Sequence, residues 1–184
     1  MRILGIDPGS NATGYGVVER DGNRLLHVAH GTLRPRGATA ELRLHQLYEL
    51  ICDIARHHAP DAAAVERVFV AHSPRSALVL GQARGAVLAA LGSLALGVTE
   101  YAPAEIKQAV TGTGRADKRQ VALMVRRLLR LDRLPESDHH AADALAAAIG
   151  HAQAGALRAL GGASRRPRRP ARTGLARLRV RRRV

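Results

Sequence analysis

The order of its predicted strands and helices most constrains how this chain folds. Short apolar runs bounded by turn signals predict three consecutive strands, over residues 3–7, 13–19 and 24–33. Helical periodicity then alternates with two further buried strands, at residues 62–66 and 98–101, before three final helices. Because a crossover helix joins parallel strands, the fourth strand should run parallel to the first. The sequence predicts an α/β fold with a five-stranded mixed sheet flanked by helices.

Capping residues predict where two of the helices begin. Ser73 and Pro74 supply an N-cap hydroxyl and a first-turn proline for a helix that should end near residue 96. Asp117 and Gln120 form a capping-box pattern for a helix that should end near residue 131. The last helix should cover residues 137–160. We expect one domain over residues 1–160, followed by a disordered Arg-rich tail over residues 161–184.

The charge of the chain points to a polyanionic partner, but the charge is concentrated at one end. The net charge is +14, and residues 165–184 contain ten arginines and no acid, which leaves +4 for the rest. No long uncharged apolar run indicates a membrane span, and the apolar start is too short for a signal peptide core. Cys52 is the only cysteine and is predicted to be a packed thiol. We expect a cytoplasmic protein that does not bind a membrane.

Two acids fall at the ends of strands that should be neighbours. Asp7 ends the first predicted strand and Glu66 ends the fourth. The carboxyl ends of parallel strands meet at one sheet edge, where open α/β sheets bind ligands. Two carboxylates there repel each other unless a cation or a proton lies between them. A turn-capping role for Asp7, before Pro8 and Gly9, is the alternative.

The last predicted helix adds a histidine and a third acid. His140 and Asp143 are three residues apart and share one face of a helix that is otherwise mostly alanine and leucine. A buried lone carboxylate is costly unless it is paired or bound to a metal, although both side chains could instead lie on a wet first turn. Three acids and one imidazole from two strands and a helix suit two divalent ions, one activating water and one stabilising the leaving oxygen.

Several segments resemble a known family of nucleases. The strings GIDPGSNATGYGVV, VERVF, SALVLGQARG and AADALAAAI, with the region of Lys107, are similar to RuvC, the bacterial crossover (Holliday) junction endodeoxyribonucleases. The similarity extends from about residue 2 to residue 151. It implies a ribonuclease-H-like fold, a homodimer and paired symmetric cuts across four-way DNA junctions during recombination and repair. A branch-migration motor complex is a further partner that the sequence leaves open.

The resemblance also assigns residues and a cofactor. It implies that Asp7, Glu66 and Asp143 are the catalytic acids, and that His140 stands where some members of the family carry a further aspartate. These four residues are expected to hold two Mg²⁺ ions, for which Mn²⁺ is a substitute. Whether His140 only binds metal or also transfers a proton stays open.

Four further side chains are candidates for DNA contacts. Lys107 and Lys118 are the only lysines in an otherwise Arg-rich chain, and both match family positions linked to DNA. Lys118 follows the Asp117 cap, where a helix N-terminus favours phosphate. Arg75 lies in the first turn after Ser73. Phe69 could wedge into or stack on a junction base, or it could instead be a core residue under its loop.

A pair of glycines marks a candidate subunit interface. Gly81 and Gly85 are four residues apart in the helix that begins after Ser73, and both allow another backbone to approach closely. A second subunit and close packing on the sheet are the two explanations.

Three other functions compete with junction resolution. The string GIDPG resembles the first phosphate loop of actin-like ATPases and sugar kinases, but those enzymes need two such domains and the chain has room for one. A related nuclease acting on RNA and a non-catalytic DNA-binding protein with a basic tail are the other two.

Overall fold

The strands and helices follow the predicted order. The computed structural model describes residues 1–67, 73–132 and 139–161. Within them the strands are β1 (Arg2–Asp7), β2 (Thr13–Asp21), β3 (Arg24–Leu33), β4 (Ala62–Glu66) and β5 (Val98–Tyr101). The helices are α1 (Ala40–His58), α2 (Pro74–Ser93), α3 (Pro103–Thr111), α4 (Lys118–Leu128) and α5 (His139–Gly161).

The five strands form one mixed sheet in the order β3-β2-β1-β4-β5. The β1–β2 and β2–β3 pairs are antiparallel, as expected for strands joined by short turns. The β1–β4 and β4–β5 pairs are parallel, which confirms the crossover predicted for β4. Consequently the ends of β1 and β4 lie side by side at one edge of the sheet.

Helices cover both faces of the sheet. Alternate residues of β1 point to opposite faces, so that Leu4 and Ile6 pack with α1 and α2, whereas Ile3 packs with α3, α4 and α5. Cys52 on α1 is fully buried in the first of these layers, which confirms the predicted packed thiol. The central strand is therefore buried on both sides, and only its ends reach the surface.

Two glycines let α5 lie unusually close to the sheet. A Cβ atom on Gly5 of β1 would lie 2.0 Å from the carbonyl oxygen of Ala144, and one on Gly14 of β2 would lie 1.9 Å from that of His140. No larger residue fits at either position without moving the helix. This close approach fixes the first turns of α5 above the end of β1.

Both predicted helix starts are confirmed, but two helix ends were placed three residues too late. The Ser73 hydroxyl caps α2 and Asp117 forms a capping box with Gln120. However, α2 ends at Ser93 and α4 ends at Leu128, because Ala95 and Arg130 adopt the left-handed conformation, with φ of 54° and 53°. Neither is glycine, so the sequence carried no stop signal there.

One side of α2 is apolar and faces outward. Leu78 is 65% exposed, and no described atom lies within 4 Å of a Cβ built on Gly81 or Gly85. Close packing of these glycines on the sheet was therefore the wrong explanation. By length and composition α2 could cross a membrane, a feature that the sequence analysis did not indicate. Its other side, with Val87 and Leu91, is buried in the core.

Three predictions concern residues outside the described ranges. They are the position of Phe69, the start of the last helix near residue 137, and the tail beyond residue 161. The division into a domain over residues 1–160 and a tail over residues 161–184 stays a prediction.

Candidate active site

The first two predicted site residues lie next to each other at the sheet edge. Ile6 pairs with Val65 in the parallel register, so the following residues, Asp7 and Glu66, end neighbouring strands. Both line a surface cavity of about 530 Å³. The Asp7 side chain is only 15% exposed, which is low for an aspartate that merely caps a turn. Strand pairing thus brings two carboxylates together at a position where even a single carboxylate would be poorly solvated.

Helix α5 brings the other two predicted residues to the same cavity. His140 and Asp143 both line it, one turn apart on the face of α5 that lies over β1. The Nδ1 atom of His140 lies 2.7 Å from Oδ2 of Asp7. An ionised carboxylate only accepts hydrogen bonds, so Nδ1 donates, and a neutral ring keeps its lone pair on Nε2. The Asp143 side chain, at 24% exposure, does not fit the wet first turn considered for both residues, whereas the His140 side chain is 43% exposed.

Both lysines predicted to contact DNA lie at the rim of this cavity. Lys107 on α3 and Lys118 at the start of α4 are among its lining residues. The Nζ atom of Lys118 lies 3.5 Å from Oδ2 of Asp143, although the Lys118 side chain is 70% exposed. An ion pair this exposed contributes little to stability. The lysine is therefore available to a phosphate that approaches the acids.

Burial, and after it the crowding of negative charge, raises the pKa values of two of the acids. Burial, followed by repulsion from Asp7 and then Asp143, raises the pKa of Glu66 to about 8, while Lys118 lowers it by a smaller amount. Burial and then Asp7 also raise the pKa of Asp143. The hydrogen bond to Asp7 raises the pKa of His140 against the opposing effect of burial. The site holds its carboxylates at a cost that a cation would remove.

The donor set fits divalent metal ions. Carboxylate oxygens and one imidazole nitrogen are ligands for hard or borderline cations such as Mg²⁺ and Mn²⁺. Raised carboxylate pKa values are the sign of a site that favours added positive charge. Within the described ranges, however, no three His, Cys, Asp or Glu side chains already form a metal cage. The ligands share a cavity but are not drawn around one point.

The structure places only one of the other two predicted DNA contacts. Arg75 is exposed on the first turn of α2 and is not among the lining residues. Phe69 falls in residues 68–72, outside the described part of the chain.

Sequence analysis missed the loop that joins β1 to β2. Ser10 and Asn11 line the cavity beside Asp7. A Cβ on Gly9 would lie 2.2 Å from the carbonyl oxygen of Ala12, so this turn needs glycine, and it would also lie 3.1 Å from Cε1 of His140. The signal was available, because these polar residues directly follow the strand-end aspartate.

The fold and the site together define the class of protein. A mixed sheet with carboxylates at the ends of its first and fourth strands, facing a third on the last helix, is a ribonuclease-H-like nuclease core. A family model described as crossover junction endodeoxyribonuclease RuvC matches residues 3–151. The chain therefore belongs to the RuvC family.

Individual relatives agree with this assignment. The crossover junction endodeoxyribonuclease RuvC of Cupriavidus metallidurans is 54% identical, with 84% of this chain and 85% of the relative covered. That of Geobacter metallireducens is 48% identical, with 86% and 96% covered. The structure of Thermus thermophilus RuvC in complex with a Holliday junction substrate superposes with a TM-score of 0.77 at 36% identity, covering 83% of this chain and 93% of that one.

Proposed function

We propose that this protein resolves four-way DNA junctions by paired, symmetric, metal-dependent hydrolysis of phosphodiester bonds, in recombination and repair. One observation carries the proposal. Asp7, Glu66, His140 and Asp143 line one cavity whose rim carries Lys107 and Lys118. Carboxylates that favour a cation, next to amines that favour a phosphate, suit a phosphodiester substrate.

The relatives support the same substrate. The matched proteins are named crossover junction endodeoxyribonucleases, and the Thermus thermophilus protein was solved with a Holliday junction substrate. The match covers nearly all of the sheet and its helices. Neither an RNA nuclease nor a non-catalytic DNA-binding protein is favoured by these relatives, and the acids argue separately against the latter.

The four cavity residues would hold two Mg²⁺ ions, with Mn²⁺ as a substitute. Bound there, the ions supply an activated water and stabilise the leaving oxygen. Asp7 orients the His140 ring by accepting from Nδ1, so that Nε2 either binds metal or accepts a proton. Lys118 leaves its exposed pairing with Asp143 to meet the substrate phosphate, and Lys107 holds the same strand from α3.

Paired cuts require two active sites, and α2 is the proposed subunit interface. Two like-polarity strands cut at matching positions imply two chains related by a two-fold axis. The outward side of α2 carries the exposed Leu78 beside the bare backbone of Gly81 and Gly85. If the α2 helix of a second subunit packs here, its backbone can approach both glycines closely. The second subunit, and not a membrane, then covers the apolar side of α2.

The remaining expectations stay proposals. Arg75 and Phe69 are proposed to contact junction DNA outside the catalytic cavity. The Arg-rich tail is proposed to add non-specific phosphate contacts. A cytoplasmic location fits an enzyme that acts on chromosomal junctions, and a branch-migration motor complex is a proposed partner.

The proposed function is tested by incubating the full chain with a synthetic four-way DNA junction and Mg²⁺. We expect metal-dependent cutting of the junction and little cutting of linear duplex of the same sequence. An RNA four-way junction is the control for the alternative substrate. Equal cutting of linear duplex, preferred cutting of RNA, or binding without any cutting would contradict the proposal.

A further inference from the structure

A second cavity adjoins the catalytic one on the opposite side of the β1–β2 loop. It has a volume of about 210 Å³ and lies between this loop, the start of α1 and the middle of α2. Its polar lining residues are Ser10, Asn11, Thr13, Arg43 and Gln82, and its apolar walls include Leu44 and Val79. None of the roles assigned above uses Arg43 or Gln82.

The two cavities are continuous along the loop. Gly9, Ser10 and Asn11 line both of them. A strand with one phosphate at Asp7 and Glu66 would pass over this loop if it continued from the catalytic cavity into the second one. The second cavity is one of the two directions in which the same strand can continue.

Arg43 is held in a defined position at this cavity. Its Nη1 atom donates a hydrogen bond to the carbonyl oxygen of Gly37 at 3.2 Å. A Cβ on Gly37 would lie 2.9 Å from the Cβ of Leu42, 3.1 Å from the backbone nitrogen of Arg43 and 3.2 Å from its Cγ, so glycine at this position lets the chain pack against the start of α1 at Leu42 and Arg43. A guanidinium fixed through one N–H still has other donors, which match the oxygens of a phosphate.

The second cavity, unlike the first, has a basic lining residue and no acid within the described part of the chain. Among the described residues that line it, Arg43 is the single ionisable side chain, and none is an acid. Glu41, two positions before Arg43, does not line the cavity. A hydrogen bond from its own backbone and then one from the Thr39 side chain lower the pKa of Glu41, with attraction to Arg43 a smaller cause. The cavity thus offers positive charge and amide or hydroxyl donors against apolar walls.

We propose that this second cavity binds the sugar-phosphate backbone of the DNA strand beside the bond that is cut, with Arg43 holding a phosphate. Gln82 donates to the same backbone, and Leu44 and Val79 contact the deoxyribose. The inference rests on the proposed function, because it extends the path of the same substrate strand.

The test compares Arg43→Gln with Arg56→Gln. Arg56 is an exposed arginine on the same helix, 13 residues away, which is about 20 Å along α1. Binding of the four-way junction is measured against salt in Ca²⁺, and single-turnover cleavage is measured in Mg²⁺. Arg43→Gln should weaken binding about tenfold and reduce the salt slope by ~0.7–0.9. Arg43→Lys should restore most of the slope, and Arg56→Gln should match wild type.

Gln82→Glu provides a second, independent variant at an exposed position. It places a negative charge in the cavity and should weaken junction binding severalfold, whereas Gln82→Ala should have a smaller effect. Equal salt slopes for Arg43→Gln and Arg56→Gln, or unchanged binding by Gln82→Glu, would overturn the proposal. If light scattering showed that Arg43→Gln lowers the molecular mass from that of a dimer to that of a monomer, the cavity would belong to the subunit interface instead. Binding and cleavage are measured separately. A wild-type protein that binds the junction but does not cut it would contradict the proposed function, and the salt slopes of binding would still test this inference.

Discussion

Replacing Glu66 with glutamine should stabilise the metal-free protein while it destroys the active site. The pKa of Glu66 is raised from its ordinary value of 4.5 to about 8, so the folded state keeps a proton that the unfolded state releases. The stability that the protonated Glu66 carboxyl contributes is complete below pH 4.5 and is lost as pH rises through about 8. At pH 7 keeping this proton on Glu66 in the folded state should cost the wild type up to about 3 kcal/mol, and a glutamine, which is neutral in both states, removes this cost.

Urea denaturation followed by circular dichroism measures the effect, since the chain contains no tryptophan. With a chelator present, Glu66→Gln should exceed wild type in unfolding free energy by about 1–3 kcal/mol at pH 8 and by much less at pH 5. Glu49→Gln, an exposed change on α1, is the matched control and should show no such gap. Mg²⁺ should stabilise wild type more than Glu66→Gln, because it binds the folded site.

Two results would refute this reasoning. If Glu66→Gln were no more stable than Glu49→Gln at pH 8, the carboxylates would not be crowded in the folded protein. If the gap were the same at pH 5 and pH 8, its cause would be packing and not ionisation.

The remaining predictions concern catalysis and assembly. Asp7→Asn or Asp143→Asn should abolish cutting while junction binding persists, and near-normal cutting by either variant would remove that residue from the site. Cleavage should fall in mild acid, because the pKa of His140 is raised and its protonated ring can neither bind metal nor accept a proton; His140→Asp should move that fall to lower pH, and an unchanged profile would count against the role of His140. Gly85→Leu should block close approach of a second α2 and give folded monomers by light scattering that nick a plasmid-borne junction without linearising it; dimers of normal mass would place the interface elsewhere.

The strand order and most element bounds could be predicted because local patterns carry them. Apolar runs and turn residues defined β3, β4 and β5 at their observed ends, and Ser73 and Asp117 marked helix starts through their own side chains. The ends of α2 and α4 were predicted too late because no local sequence pattern marks them. These helices end before Ala95 and Arg130, which adopt the left-handed conformation although neither is the glycine or asparagine that usually signals it.

The acids of the site could be predicted, but the way they are held together could not. Asp7 and Glu66 follow from strand ends, and His140 and Asp143 from helical spacing. The sequence did not reveal that Gly5 and Gly14 let α5 lie directly on β1 and β2, because each glycine is explained only by the helix above it. The second cavity was missed for the same reason, since it joins three segments that are distant in sequence.

The most direct test of the central claim is to map every cut on a four-way DNA junction with each of its four strands labelled in turn. In Mg²⁺ the wild type should cut two strands of like polarity at matching positions near the branch point, leaving nicks that a ligase seals, and Asp7→Asn should leave all four strands intact. Cuts scattered over all four strands, cuts that persist in a chelator, or equal cutting by Asp7→Asn would contradict a paired, metal-dependent reaction at this site.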